Sequence, residues 1–323
     1  MHKMKSDIEA LSSSILAYAM ERLRMDPPTI DHALPQTTLE ELAGQTITEE
    51  GLGGEEALKL FVDTLGPACI SQDHPRFLSF VPSAPSEVST LFDLVVGASN
   101  ICASSWLEGA GAIYAENQAL RWIADIAGFP QGAGGVFVSG GTAGNLSALV
   151  AARHDWRHTH PECSSQRGLI ISSRGAHASV AQAAQVMDAD LVQSGGHQLK
   201  GNDVAATIAE LSTEDRARLF AVACTAGTTN LGIIDDMQGI GETCAKEKLW
   251  FHVDGAYGGA GLAAPLPFAS RSFPAAPGLM RFCGLRFGIV RRICCSSVSK
   301  SGLLFDATSF LARSVARAPR WSS

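Results

Sequence analysis

The sequence predicts an α/β protein in which helices flank a mostly parallel central sheet. Three observations carry this prediction. Short apolar runs of strand length recur through the middle of the chain, a turn of glycine or polar residues follows each run, and a helical pattern follows the turn. Strands that alternate with helices in this way form parallel βαβ units, whose helices cover the faces of the sheet.

Helices come first along the chain. In Ser6–Arg24 the apolar residues recur at helical spacing, and the pattern stops before Pro27 and Pro28 because proline cannot continue a helix. Similar patterns predict further helices at residues 39–42, 55–65, 86–98 and 113–126. The chain is therefore expected to open with a helical segment over residues 1–70 and to enter the sheet afterwards.

The first strand is followed by a turn with the composition of an anion site. Residues 136–138 are a short apolar run, and Gly140, Gly141 and Thr142 lie between this run and a helical pattern. Glycines leave backbone N–H groups unobstructed at a helix N-terminus, where the helix dipole favours a phosphate. The turn is neither Gly-x-Gly-x-x-Gly nor a P-loop with its lysine, so a dinucleotide or ATP is not expected. By itself the pattern also fits an ordinary tight turn.

A carboxylate follows a later apolar strand. The run at residues 249–251 leads to Asp254, after which the chain bends through glycine. Ligands of open α/β sheets bind beyond the carboxyl ends of the strands, so Asp254 is expected at the mouth of the sheet. A carboxylate there suits the protonated ring nitrogen of a pyridine cofactor. A helix N-cap or a buried ion pair is the alternative for a single aspartate at a strand end.

Two other strand ends also carry polar residues. His177 comes shortly after the apolar run 168–172, where an imidazole can stack on a flat aromatic cofactor. A structural role is the alternative for a single histidine. Thr229 ends a glycine turn after the apolar run 219–224. Polar groups that recur at the same kind of position indicate one shared site at the carboxyl edge of the sheet.

Composition and charge limit the classes of function. The 323 residues are 46% hydrophobic and 18% charged, as in a globular enzyme, and the net charge of −7 argues against nucleic-acid binding. We expect neither a membrane span nor a secretory signal, because long apolar runs are absent. The eight cysteines show no Cys-x-x-Cys spacing and indicate reduced thiols of a cytoplasmic protein. His154, His158 and His160 lack a completing ligand, so no metal is expected.

Five motifs together resemble one enzyme family. In chain order they are His74-Pro75-Arg76-Phe77, Ser139-Gly140-Gly141-Thr142, Ala176-His177-Ala178-Ser179, Gly227-Thr228-Thr229 and His252-Val253-Asp254-Gly255-Ala256-Tyr257. Their order and spacing resemble the group II pyridoxal-phosphate-dependent decarboxylases of aromatic amino acids, glutamate, histidine and diaminobutyrate. The resemblance implies a fold-type I, transferase-like architecture, pyridoxal 5′-phosphate as cofactor, decarboxylation of an L-amino acid to an amine, and a homodimer.

The resemblance also implies roles for single residues. The residues that would bind the cofactor are Gly140, Gly141, Thr142, His177, Thr229, Asp254 and Ala256. Of these, His177 would stack on the pyridine ring and Asp254 would pair with the ring nitrogen, which makes both of them candidate catalytic residues. The glycine turn would hold the phosphate. Phe80 and Pro82 would lie near the substrate entrance, and the N-terminal helices would wrap the partner subunit.

The lysine that carries the cofactor departs from the family pattern. In the family it lies in a His-Lys-Trp sequence that follows an apolar strand. Here Lys300 is the sole lysine after Lys248, and neither a histidine nor a tryptophan flanks it. Lys300 is therefore the candidate Schiff-base residue, with an exposed loop lysine as the alternative.

The composition changes near residue 263. Residues 264–323 contain eight arginines, one lysine, a single acid and little periodic pattern. We interpret the change as a loss of the family reading frame, so that the C-terminal small domain has no counterpart and little turnover is expected from the chain as printed. The predicted division is a helical segment at 1–70, an incomplete cofactor-binding domain at 71–263 and a basic tail at 264–323.

Two other functions stay open at this point. Another fold-type I enzyme, such as an aminotransferase or a cysteine-desulfurase-like lyase, would share the sheet, the aspartate and the lysine. A catalytically dead fragment of a decarboxylase would agree with the altered surroundings of Lys300. The turn at Gly140 and the position of His177 favour the decarboxylase over the first alternative.

Overall fold

The computed structural model describes residues 6–79, 86–163, 165–263, 281–285 and 287–288. The chain forms two compact units that divide between Glu87 and Val88. Three residues with predicted roles, Phe80, Pro82 and Lys300, lie outside the described residues.

The first unit contains the predicted N-terminal helices. They are α1 (Ser6–Arg24), α2 (Gln36–Ala43) and α3 (Gly54–Leu60), which continues as a π-helical turn, Phe61–Leu65. Tyr18 of α1 packs edge-on against Phe61, with the ring centroids 5.9 Å apart. The Arg22 guanidinium donates to the Asp73 carboxylate at 2.8 Å, and this bond lowers the pKa of Asp73. Aromatic and ionic contacts thus tie α1 to the segment that follows it.

The second unit begins with two long helices and continues into a sheet. The predicted helices at 86–98 and 113–126 are α4 (Glu87–Ser99) and α5 (Trp106–Ile126). The described strands are β1 (Val136–Phe137), β2 (Leu169–Ser173), β3 (Asp190–Ser194), β4 (Leu219–Thr225), β5 (Trp250–Asp254), β6 (Arg281–Leu285) and β7 (Phe287–Gly288). The helices between them are α6 (Gly141–Thr159), α7 (Ala178–Val186), α8 (Gly201–Glu210), α9 (Thr213–Arg218) and α10 (Met237–Glu247).

The sheet is mostly parallel, as the sequence predicts. In the described part of the chain its strand order is β1-β7-β6-β5-β4-β2-β3. The pairs β2–β3, β2–β4, β4–β5 and β5–β6 are parallel, whereas β7 pairs antiparallel with β1 and β6. The predicted α/β class is therefore confirmed. β6 and β7, which lie after residue 263, also join this sheet.

Helices cover both faces of the sheet, which explains why its central strands are continuous apolar runs. Ile171 and Val222 pack with residues of α8 and α10 on one face. Ile170 and Ala221 pack with residues of α6 and α7 on the other face. Successive side chains of a strand point to opposite faces, so neighbouring residues enter different cores. The two cores hold the carboxyl ends of β2, β4 and β5 in a fixed row.

The contact between α8 and α10 yields a stability prediction. A Cβ on Gly201 would lie 2.4 Å from the carbonyl carbon and oxygen of Gly239, so the two helices would have to separate. We expect Gly201→Ala to lower the free energy of unfolding by about 2 kcal/mol or more. Gly111 in α5 has nothing within 4 Å of its Cβ position, so Gly111→Ala should leave stability unchanged or raise it. Urea denaturation followed by circular dichroism measures both, and equal stabilities would contradict this packing.

Candidate functional site

Three segments meet at the carboxyl ends of β4 and β5. The Ala226 N–H donates to the Asp254 carbonyl at 2.7 Å, which fixes the turn after β4 beside the end of β5. A Cβ on Gly141 would lie 3.2 Å from the Cβ of Ala256, so the N-terminus of α6 reaches the same place. The predicted anion turn, the turn after β4 and the Asp254 segment are therefore neighbours.

Asp254 is the last residue of β5, and its side chain is buried. Its Oδ1 accepts from the Ala256 N–H at 3.1 Å, and its Oδ2 accepts from Asn145 Nδ2 at 2.8 Å. The next helical turn begins at Gly258, so the Ala256 bond closes a local turn and does not cap a helix. No ion pair joins Asp254 to a lysine or arginine among the described residues. A buried carboxylate held by neutral donors can still accept from a cationic partner.

Asn145 is a site residue that the sequence reading missed. It lies in α6, is 1% exposed and contacts three polar side chains. Its Nδ2 donates to Asp254 and to Ser179 Oγ, each at 2.8 Å, and its Oδ1 lies 2.9 Å from His252 Nε2. The available signal was an amide inside an apolar helical pattern, because a buried amide needs several hydrogen-bond partners.

His177 is the N-cap residue of α7, and its ring is exposed. Its Nδ1 accepts from the Ser179 N–H at 3.2 Å and lies 2.8 Å from Ser179 Oγ. Because Ser179 Oγ also accepts from Asn145, two side chains connect His177 to Asp254. The backbone of α7 therefore fixes one ring nitrogen of an exposed histidine.

His252 lies in β5, two residues before Asp254, and is fully buried. Burial lowers the pKa of His252 to about 4, although the neighbouring Asp254 charge acts in the opposite direction. The ring is therefore neutral near pH 7. Its Nδ1 has no hydrogen-bond partner within the part of the chain that the structure describes. His252 thus offers a neutral dipole to Asn145 without adding a second charge.

The N-terminus of α6 is open, as an anion site requires. Its N-cap residue is Gly140, which has no side chain that could cap the first N–H groups. A Cβ on Gly140 would meet nothing within 4 Å, and the side chain of Thr142 is exposed. Unobstructed N–H groups at the positive end of a 19-residue helix fit a phosphate.

The turn after β4 is built around Gly227 and Thr228. Gly227 has a φ of +100°, which favours glycine, and a Cβ there would lie 2.7 Å from the Tyr257 ring. The Thr228 N–H donates to the Ile233 carbonyl at 2.9 Å, and Thr228 Oγ1 accepts from the Ile233 N–H at 3.1 Å. These bonds close the turn and leave Thr229 exposed beside the buried Thr228.

Asp235 stabilises the turn after β4 at the point where this turn leaves the strand. Its carboxylate accepts from the N–H groups of Leu199 and Thr225, each at 2.7 Å, and burial raises the pKa of Asp235 to about 6. The next residue, Asp236, is the N-cap of α10, and its carboxylate accepts from the Gly239 N–H at 3.0 Å. Asp235 instead ties the end of β4 to the loop before α8.

The described site brings most of the predicted residues to one edge of the sheet. Lys300 lies outside the described residues, so its place relative to Asp254 stays a prediction. The described side chains include no group of three or more His, Cys, Asp or Glu residues that could hold a metal ion. Among the helices of the described residues, none is long and apolar enough to cross a membrane.

A family model described as the pyridoxal-dependent decarboxylase conserved domain matches residues 39–274. The chain belongs to this family. The match includes every motif that carried the resemblance, from His74 to Tyr257. It also continues past residue 263, where the sequence predicted that the family frame is lost.

Curated members of the decarboxylase family are similar to this chain over part of their length. Aromatic-L-amino-acid decarboxylase of Bacillus atrophaeus is 30% identical over 247 residues, which are 74% of this chain and 50% of the relative. L-2,4-diaminobutyrate decarboxylase of Acinetobacter baumannii is 26% identical over 236 residues, which are 66% of this chain and 46% of the relative. The chain therefore spans about half the length of these relatives.

Solved structures share the fold of this decarboxylase-family chain. Apo mouse CSAD aligns with a TM-score of 0.74 and 19% identity, over 95% of this chain and 73% of that one. At this identity the alignment shows the fold alone. The predicted family, the fold-type I architecture and pyridoxal phosphate as the family's cofactor are confirmed.

The buried His252 yields a prediction on pH. Its folded pKa of about 4 lies below the ordinary 6.5, so the unfolded chain binds more protons between these values and stability falls as pH falls from 6.5 to 4. His252→Gln keeps an N–H donor and removes the titration, so it should abolish roughly 3 kcal/mol of this loss. Denaturant unfolding at several pH values measures it, and parallel curves for wild type and His252→Gln would refute the assignment.

Proposed function

We propose that this chain supplies the cofactor-binding part of a pyridoxal-phosphate-dependent L-amino-acid decarboxylase. The cofactor would lie at the carboxyl edge of the sheet, where an L-amino acid would lose CO₂ and leave an amine. The observation that carries the proposal is the buried Asp254 carboxylate beside the open N-terminus of α6. Pyridoxal phosphate has a cationic ring nitrogen and an anionic phosphate, so its charges match this arrangement.

The space around the glycine turn supports this fit. A Cβ on Gly141 would approach Ala256 at 3.2 Å, so a larger residue would push α6 away from the Asp254 segment. Gly140 instead faces open space. Gly140, Gly141 and Thr142 would bind the phosphate through their N–H groups and the threonine hydroxyl. A turn that is tight toward the protein and open on its other side agrees with a bound phosphate.

The remaining cofactor contacts would come from three other segments. When bound, pyridoxal phosphate supplies a protonated ring that accepts the electrons released as CO₂ leaves. Asp254 would keep the proton on the ring nitrogen, because a buried carboxylate favours a cationic partner. The exposed His177 ring would stack on one face of the pyridine. Thr229 and Ala256 would line the ring.

Lys300 is our candidate for the lysine that holds the cofactor covalently. Such a lysine reacts as the neutral amine, so its pKa must be lowered by its surroundings. Lys246 and Lys248 are poor alternatives, because they end α10 next to the first residue of β5 and thus lie at the opposite end of that strand from Asp254. The division into a helical segment at 1–70, a cofactor domain at 71–263 and a tail at 264–323 is part of this proposal.

The proposed assembly is a cytoplasmic homodimer that binds neither nucleic acid nor membrane. Helix α1 exposes three apolar side chains, Ile8, Ile15 and Leu16, which are 42%, 46% and 42% exposed. An apolar face of this kind supports contact with a second copy. The cysteines in the described part of the chain are free thiols, which agrees with a reducing compartment.

Replacing Asp254 tests the proposed cofactor site. Asp254→Asn keeps the side-chain volume but removes the charge that would pair with the ring nitrogen. We expect the full chain to bind pyridoxal phosphate about a hundredfold more weakly, which is roughly 3 kcal/mol. Asp63→Asn changes an exposed aspartate in the first unit and should bind like the unchanged chain. Absorbance titration measures the affinities, and equal values for Asp254→Asn and the control would count against the site.

The products test the proposed reaction. Any turnover of aromatic, acidic or basic L-amino acids by the full chain with pyridoxal phosphate should release CO₂ and the matching amine in equal amounts. Captured CO₂ and chromatography of the amine measure them, with Asp254→Asn as the inactive control. A keto acid product would point to an aminotransferase. A turnover near one per second, common among enzymes, would contradict the expectation of little activity from the chain as printed.

A further inference from the structure

Asn145 connects polar groups from α6, α7 and β5 through one buried amide. Its Nδ2 donates to Asp254 Oδ2 and to Ser179 Oγ, each at 2.8 Å. Its Oδ1 lies 2.9 Å from His252 Nε2. Because the residue is 1% exposed, water does not compete for these bonds. Three of the four hydrogen bonds that an amide can make are thus formed within the protein.

The charge of Asp254 determines which way this amide points. Both Asp254 oxygens accept hydrogen bonds, as a carboxylate does. If the Asn145 amide were reversed, its Oδ1 would face the carboxylate and two acceptors would repel each other. Asn145 must therefore present Nδ2 to Asp254 and Oδ1 to His252. It follows that His252 carries its proton on Nε2 and leaves Nδ1 without one.

The same amide determines the direction of the next bond. Because Asn145 donates to Ser179 Oγ, the hydroxyl proton of Ser179 can point to His177 Nδ1, which lies 2.8 Å away. The Ser179 N–H reaches the same ring nitrogen at 3.2 Å. Two donors to Nδ1 place the proton of a neutral His177 ring on Nε2. The directions of the side-chain hydrogen bonds from His252 through Asn145 to Ser179 thus follow from one carboxylate, and the Ser179 N–H fixes Nδ1 of His177 independently.

We propose that Asn145 is a positioning residue that orients the Asp254 carboxylate for the cofactor ring nitrogen, sets the tautomer of His252 and directs the Ser179 hydroxyl toward His177. The inference rests on the proposed function, from which the cofactor roles of Asp254 and His177 come. An apolar side chain at position 145 would leave the buried carboxylate with the Ala256 N–H as its one described donor. It would also remove the acceptor for His252 Nε2 and the donor to Ser179 Oγ, so that the His252 tautomer and the direction of the Ser179 hydroxyl would no longer be fixed.

The first test reads the tautomers and needs no cofactor. The full chain is labelled with ¹⁵N-histidine, and long-range ¹H–¹⁵N spectra are recorded near neutral pH. His252→Gln and His177→Gln assign the two signals among the nine histidines. We expect Nε2–H tautomers for both residues in the unchanged chain. In Asn145→Leu, which removes the amide at similar volume, the His252 signals should move toward a mixture of tautomers. The His177 ring, whose Nδ1 still accepts from the Ser179 N–H, should keep its tautomer and serves as the internal control.

The second test measures pyridoxal phosphate binding to the same proteins. Asn145→Leu should weaken binding at least about tenfold, because a charged acceptor loses its donor. Asn145→Asp keeps the acceptor for His252 but adds a second carboxylate beside Asp254, and it should weaken binding as well. Asn202→Asp, at an exposed position in α8, should bind within about twofold of the unchanged chain. Circular dichroism checks that each variant folds.

Two results would overturn the inference. One is a proton on Nδ1 of His252 in the unchanged chain, which does not depend on whether any variant folds. The other is a folded Asn145→Leu protein in which His252 keeps its single tautomer and which binds pyridoxal phosphate as well as the unchanged chain. If the unchanged chain binds no pyridoxal phosphate, the proposed function fails instead, and the tautomers still decide the hydrogen-bond directions.

Discussion

The hydrogen bond from Asn145 to Asp254 joins helix α6 to the end of strand β5, and the geometry of the candidate site depends on this bond. A carboxylate that is buried at a strand end is costly unless donors satisfy it. The protein provides two neutral donors, Asn145 and the Ala256 N–H, and keeps the adjacent His252 uncharged. The negative charge is thus stabilised without being neutralised, and it can still act on a cationic ring.

Close approach of backbones places the other parts of the site around this charge. A Cβ on Gly258 would lie 1.9 Å from the Ala226 carbonyl oxygen, so the turn after β4 and the segment after β5 are in direct contact. Gly141 makes the corresponding close approach to Ala256 from α6. The Asp235 carboxylate fixes the turn after β4, because it accepts from the backbone N–H groups of Leu199 and Thr225. Small residues and buried acceptors therefore bring three loops together where ligands of α/β sheets bind.

The sequence could predict the residues of the site better than their partners. Gly140, His177 and Asp254 each follow an apolar strand, and that local pattern is enough to place them at one edge of the sheet. The partners of Asp254 are different, because Asn145 lies 109 residues earlier and its side chain meets the carboxylate only after α6 has packed on the sheet. No local pattern reports such a contact. A polar residue within a buried helix face signals that a partner exists without naming it.

The same limit applies to the fold. The central strands β2, β4 and β5 are continuous apolar runs because both faces are buried, and the sequence predicts them. In the described part of the chain, β3 is an edge strand of the sheet and is only partly buried. An edge strand of this kind does not require a continuous apolar run, and the sequence of β3 has none. β6 and β7 are held by pairing with their neighbours, which composition does not report.

A structure of the full chain with bound pyridoxal phosphate tests the central claim most directly. The account predicts that the ring nitrogen lies about 2.8 Å from the Asp254 carboxylate. It also predicts that Asn145 still donates to that carboxylate and that the phosphate lies on the N–H groups of Gly140, Gly141 and Thr142. A cofactor whose ring nitrogen faces away from Asp254, or whose phosphate lies elsewhere on the chain, would contradict it.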